Sequence, residues 1–247
     1  MRWPGLISLA ALLMGGCLPD NNELVTPQRM ESGLVMILPG IEGDGPFSAE
    51  VRRGLDESGL GCALPIIRWG RPVPIAGPLL NQMDLIGNRL AAQRLADAIV
   101  NYQDSHPGRP VHLVGHSGGG GVSIFTAEAL PQGRKVDGIV LLSASISAGY
   151  DLTKALAHSR KGIVNFYSKN DVGLLMIGTT VVGNVDGIHG PAAGAIGFDR
   201  LPEGLHQVPW SQDMSWAGSG GHMDTTGAPF VRTFVSPWIR APAWPAR

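Results

Sequence analysis

Ser117 lies in Gly115-His116-Ser117-Gly118-Gly119, a G-x-S-x-G spacing that follows directly on the strand-like stretch Val111-His112-Leu113-Val114. This spacing belongs to a sharp strand-to-helix turn that exposes a serine hydroxyl at the top of a parallel sheet. The serine backbone of such a turn is strained, and the residues two before and two after it crowd each other. Gly115 and Gly119 fill those two places without side chains. The stretch 122–130 reads as the helix that follows, and a helix starting at the serine points its free N–H groups at developing negative charge. The competing explanation is an ordinary glycine-rich turn, since 35 of the 247 residues are glycine. The strand before and the helix after favour the nucleophile-exposing turn.

Two further groups fall in the chain order that such a serine needs, with a carboxylate next and a histidine last. The apolar strand 162–168 ends in Lys169-Asn170-Asp171, which places a carboxylate at a strand's C-terminal end. Gly218-Ser219-Gly220-Gly221-His222 then carries a histidine in a glycine-rich loop. Upstream, the strand 34–38 runs into Pro39-Gly40-Ile41-Glu42-Gly43, where a second backbone N–H donor should come from. Glu42 and Asp44 in that loop read as solvated turn residues.

With these four motifs in order over roughly residues 33 to 240, the chain resembles the α/β-hydrolase family. The resemblance implies that Ser117 is the nucleophile, that His222 is the general base, and that Asp171 orients His222 and stabilises its charged form. It implies an oxyanion hole made by the N–H groups of Gly118 and Ile41. Ile41 then matters through its backbone, and losing one such donor typically costs ~10²–10³ in rate. The sequence departs from many lipases of the family at Pro39-Gly40, where those carry His-Gly.

Each assignment has a rival. Asp151 follows the strand 139–144, and some relatives of the fold place the acid one strand earlier; alternatively it is a loop carboxylate or a helix cap. His189 and His206 compete with His222, but the base should follow the last strand, which begins near His206. His112 and His116 do not form a metal site: four residues along a strand span about 13 Å. There is no His-Glu-x-x-His, no zinc-like cysteine spacing, no phosphate-binding loop and no dinucleotide fingerprint, so neither a metal nor a cofactor is expected.

The net charge of −1 and pI near 6.6 give no basic patch for nucleic acid. The first residues have another character. Arg2 precedes an apolar run, 6–14, too short to span a bilayer, which needs ~20 residues. Met14-Gly15-Gly16-Cys17 then resembles a bacterial lipobox, whose cysteine is lipidated and begins the mature chain. A plain secretory signal is the alternative. The expected organisation is a lipoprotein signal at 1–16, a polar tether at 17–32 and one catalytic domain at 33–247. Cys62 is then alone, and reads as a small buried apolar residue.

The expected elements alternate along the chain: a helix over 49–57, a strand over about 63–69 and a proline-broken loop at 72–78. A long helix follows, burying Ile86, Leu90, Ala91, Leu95, Ala98, Ile99 and Tyr102, and ends near His106. Strands near 35, 66, 113, 141, 165 and 208 make about six, mostly parallel, with helices on both faces. About twenty residues separate the fourth strand from the fifth, so no cap domain is inserted there, as in small lipases and cutinases. The stretch 173–202 is an ordinary core segment or a partial flap. The function expected is a lipid-anchored serine hydrolase of the bacterial envelope, a carboxylesterase or lipase acting on a small-molecule or lipid ester. Other acyl chemistry on the same groups (peptidase, thioesterase, acyltransferase) and an inactive lipid-anchored binding protein are the alternatives.

Overall fold

The computed structural model describes residues 22–70, 82–171, 179 and 183–245. The signal and Cys17, the loop 72–78 and most of 174–182 lie outside the described residues.

Among the described residues five parallel strands form the sheet: β1 (Leu34–Leu38), β2 (Val111–His116), β3 (Gly138–Leu142), β4 (Ile163–Tyr167) and β5 (Leu205–Pro209), side by side in chain order. The stretch expected as a sixth strand lies along the outer edge of β1 but pairs only through isolated bridges, Leu34 with Ala63 and Ile37 with Ile66. Pro65 explains the gap. Ala63 N–H reaches Gly33 O at 3.0 Å and Ile67 N–H reaches Ile37 O at 2.8 Å. The N–H that would fall between them belongs to a proline and does not exist.

The chain thus steps outward from β1 to this edge segment, then back across to β2. The direction of winding reverses between β1 and β2, which opens a crevice at the C-terminal ends of those two strands. Helices cover both faces, as parallel strands buried on two sides require. Helix α1 (Pro46–Glu57) and the C-terminal helical segment 228–240 cover one face, against Val35, Ile37, Val114, Val140, Leu142 and Phe166. Helices α2 (Leu85–Ser105) and α3 (Gly118–Ala129) cover the other, against Leu34, Met36, Leu38, Leu113, Ile139 and Leu141. No cap domain stands between β3 and β4; a short helix, Thr153–Ala157, fills that connection.

One expected buried face is shifted. Along α2 the buried positions are Asn88, Ala91, Ala92, Ala96, Ala98, Ile99 and Tyr102, whereas Ile86 is 75% and Leu90 57% exposed. The cause is the partner: α3 begins with four glycines, and a close helix–helix approach selects small residues over leucine and isoleucine. The part of the expected tether that is described, 22–32, is docked on the domain. Arg29 donates to the carbonyls of Leu60 and Cys62 and pairs with Asp56 at 2.7 Å, Leu24 O accepts from Leu64 N–H, and Met30 O accepts from the Tyr102 hydroxyl.

Candidate active site

Ser117 connects β2 to α3 with φ 51° and ψ −123°. This is the left-handed φ region, which costs a non-glycine residue about 1–3 kcal/mol and persists only where the surroundings over-determine it. Three backbone bonds do so: Ser117 N–H donates to Leu142 O at 3.0 Å, and Ser117 O accepts from Gly120 N–H at 3.0 Å and Ser145 N–H at 2.9 Å. The flanking glycines are needed for space. A Cβ on Gly115 would lie 2.4 Å from Gly119 O, and one on Gly119 would lie 2.3 Å from the carbonyl oxygens of both Leu38 and Pro39. Gly118, Gly120 and Gly121 abut Ile41, Ala144 and Val185 in the same way.

The three residues singled out by chain order come together here. His222 Nε2 is 3.0 Å from Ser117 Oγ, and His222 Nδ1 is 2.6 Å from Asp171 Oδ2. A carboxylate only accepts, so Nδ1 carries the proton and Nε2 is left with a lone pair facing the serine hydroxyl. The Asp171 side chain is 1% and the His222 side chain 8% exposed. Burial strengthens their interaction and fixes the ring.

The loop bearing His222 is closed on itself by Asp224, whose Oδ2 accepts from Ser219 N–H at 2.6 Å and Gly221 N–H at 2.9 Å. It is also tied to three strand ends. Asn170 Nδ2–H donates to Ser219 O at 2.8 Å beyond β4, Thr225 Oγ1 lies 3.1 Å from Ser143 Oγ beyond β3, and His116 Nε2 lies 3.2 Å from His222 O at the end of β2. Among the described residues Ser143 is the other non-glycine with positive φ, at 46°.

Ile41, expected as the second oxyanion donor, lies against the first: a Cβ on Gly118 would be 2.8 Å from Ile41 Cγ2. The turn is braced by Trp69, whose indole N–H donates to Pro39 O at 2.7 Å. Neither Trp69 nor the buried Gln82, which donates to Ser145 Oγ and Gly183 O at 2.7 Å each, was legible in the sequence. Glu42 is exposed on the turn, as expected, but has a partner, and Asp44 is largely buried and not a solvated turn residue. Asp44 accepts from Ser48 Oγ at 3.1 Å, and Glu42 Oε1 lies 3.6 Å from His116 Nδ1. Burial works to raise the Glu42 carboxyl, but the His116 imidazole opposite it, its own backbone N–H and His222 outweigh burial and hold it below the usual range.

The rivals sit elsewhere. Asp151 is exposed and caps the turn after it, accepting from Thr153 N–H at 2.9 Å and Thr153 Oγ1–H at 2.6 Å. His206 is inside β5, packed against Trp238 and Trp244, and His189 is exposed on the loop after Gly187. Cys62 is buried, which pushes its thiol up to about 11 and leaves it un-nucleophilic. The described part of 173–202 is packed in place: Val185 abuts Gly121, and Gly194 N–H donates to Ala144 O at 2.9 Å. Among the described residues no group of three or more His, Cys, Asp or Glu side chains is placed to hold a metal ion.

No family model matches the chain, and no curated protein matches it in sequence. Solved structures do match. A lidless α/β serine hydrolase from Xanthomonas campestris aligns with 90% of this chain and 88% of its own, at 16% identity and a TM-score of 0.55. A dienelactone hydrolase from Anabaena variabilis aligns over 84% and 85%, at 16% identity and a TM-score of 0.50. Aspergillus fumigatus lipase B aligns over 96% of this chain and 59% of its own, at 14% identity and a TM-score of 0.56. The sheet order, the reversal between β1 and β2 and these likenesses together define an α/β-hydrolase fold.

Proposed function

We propose that this protein is a serine hydrolase that cleaves carboxylic esters. The observation that carries the reading is the unbroken chain from Ser117 Oγ through His222 to Asp171, at 3.0 Å and 2.6 Å, behind a strained serine at the fold's crevice. Ser117 Oγ attacks the ester carbonyl while His222 Nε2 takes its proton, and Asp171 stabilises the resulting imidazolium. The backbone N–H groups of Gly118 and Ile41 receive the oxyanion, with the N-terminus of α3 behind Gly118. His222 then protonates the departing alcohol, and water repeats the sequence on the acyl-enzyme. Esters are favoured over other acyl substrates because a lipase and a dienelactone hydrolase, both acting on esters, are among the structures of this shape.

The test is labelling with a fluorophosphonate probe, together with hydrolysis of p-nitrophenyl acetate. Labelling at Ser117, lost in Ser117→Ala, is the expected result; an unlabelled wild-type protein sinks the reading.

The same proposal extends to location. Arg2, the apolar run 6–14 and Met14-Gly15-Gly16-Cys17 support a chain processed and lipidated at Cys17 and held to the bacterial envelope. One acyl chain binds a membrane only marginally, so a stable anchor needs several. Mass spectrometry of the mature N-terminus with membrane fractionation checks this. An unmodified Cys17 in a freely soluble protein refutes the anchor and leaves the chemistry standing.

A further inference from the structure

His116 sits one residue before the nucleophile, with its side chain 4% exposed, and both of its ring nitrogens face oxygen acceptors. Nε2 is 3.2 Å from the main-chain carbonyl of His222. A carbonyl oxygen only accepts, so Nε2 carries a proton. Nδ1 is buried, has no hydrogen-bond partner among the described residues, and points at the Glu42 carboxylate, whose Oε1 is 3.6 Å away. In a neutral ring protonated at Nε2, Nδ1 is a lone pair. A buried lone pair opposite a carboxylate is repulsive, even with the carboxylate partly exposed as Glu42 is. One additional proton on Nδ1 turns the same geometry into an attractive ion pair.

The surroundings are built for this placement. A Cβ on Gly40 would lie 2.2 Å from Glu42 Oε2, so the glycine leaves the room in which the Glu42 carboxylate folds back over the turn. Among the described residues the other titratable group facing the pair is His222, whose ring centroid is 4.9 Å from that of His116; beyond it Asp171 holds His222 Nδ1. Asp44, on the same turn as Glu42, is engaged by Ser48 and by Arg68 at 3.5 Å.

We propose that Glu42 and His116 form a second carboxylate–imidazolium pair, in which Glu42 keeps both His116 nitrogens protonated and His116 in turn holds the His222 carbonyl and so positions His222 against Ser117. The consequence for the enzyme rests on the hydrolase reading above; the protonation of His116 does not. His116 and Glu42 are positioning residues, because neither reaches the reacting atoms.

The test has two readouts. Nitrogen-15 NMR of the histidine side chains counts the protons on His116 without any turnover. Both nitrogens protonated at pH 7 in the wild type, and only one in Glu42→Ala, is the expected result. A singly protonated His116 in the wild type overturns the proposal. The second readout is ester hydrolysis against pH. Glu42→Ala lowers kcat by roughly ten- to a hundredfold with KM within about twofold, the size expected when a catalytic group is misplaced. In Glu42→Gln the side-chain amide donates to a neutral Nδ1, which restores part of the loss. Its pH profile is expected to differ from that of the wild type, because an amide holds no ionisable proton against His116. Glu42 lies on a partly exposed turn, so these variants keep their fold, which an unchanged Tm verifies. Wild-type rate and pH profile in both variants overturn the positioning role. A doubly protonated His116 in a protein that neither hydrolyses esters nor labels at Ser117 supports the pair and sinks only the hydrolase reading.

Discussion

The two ends of β2 carry the same side chain on the same face, at almost the same burial, and differ in everything else. His112, at the start, is 3% exposed and meets the Lys161 ammonium, whose Nζ is 3.4 Å from its Nε2; Lys161 itself is held by the carbonyl of Ala241 at 2.7 Å. Burial, with the lysine charge adding to it, pushes His112 down to about 3, so it is a neutral acceptor and a packing residue. His116, at the end, is 4% exposed and meets a carboxylate and the loop that carries His222. Burial alone therefore does not distinguish a structural histidine from one tied to chemistry. The sign of the neighbouring charge does, and the neighbours differ because the start of the strand is closed by the chain's own C-terminal segment while its end opens onto loops from several elements.

The comparison can be broken most severely at the active end. Ser117→Ala is expected to lower kcat by at least ~10³ and leave Tm within a few degrees, since only the hydroxyl is lost. Full turnover in that variant would make the whole end of β2 structural, like its start. Next in size is Gly119→Ala. Its new Cβ would lie 2.3 Å from two backbone oxygens, and overpacking of that kind costs about 1–3 kcal/mol along with activity. Gly61→Ala, with nothing within 4 Å of its Cβ, is the matched control, and thermal melts of the two should separate clearly.

At the quiet end the expected effect is one of pH. The folded value of about 3 for His112 lies below its unfolded value of 6.5, so the unfolded chain binds the extra proton first. Stability is complete above pH 6.5 and is lost as pH falls toward 3. The contribution from this residue is about 2 kcal/mol between pH 7 and pH 5. His112→Gln should lack that slope, whatever its cost at pH 7, and melting curves at the two pH values read the difference. The smallest effect is at Asp151, the rival acid: Asp151→Asn should change kcat/KM by less than about twofold, and a larger loss would favour it over Asp171.

Ser117, Asp171 and His222 were legible because each is fixed by local pattern: glycines around a strand-to-helix turn, an acid just past an apolar run, a histidine after the last strand. What was not legible depends on contacts across the chain. Glu42 and His116 are joined only when the β1 loop folds over the end of β2, and nothing in Gly40-Ile41-Glu42 says which way the carboxylate turns. The helical period correctly places Ala91, Ala98, Ile99 and Tyr102 inside, but Ile86 and Leu90 are displaced by the glycine-rich helix opposite, a demand of shape and not of hydrophobicity. The edge stretch reads as a strand by its apolar residues, while Pro65 removes the one donor that would have completed its ladder.

The docking of residues 22–32 has a consequence for orientation. That stretch lies beneath the sheet, at the end where β1 begins and α2 finishes, as the contacts of Met30 with Tyr102 and of Glu31 with His106 place it. Ser117 is at the opposite end. Residues 17–21 can reach at most roughly 18 Å even when fully stretched. A lipid at Cys17, as proposed, would hold the molecule on a short leash by its underside, with the catalytic mouth turned toward the aqueous compartment and away from the bilayer that anchors it. Its substrates would then be soluble esters or those of a surface facing it. Lengthening the leash with glycine and serine should leave turnover of soluble esters unchanged and allow the enzyme to attack esters in its own membrane.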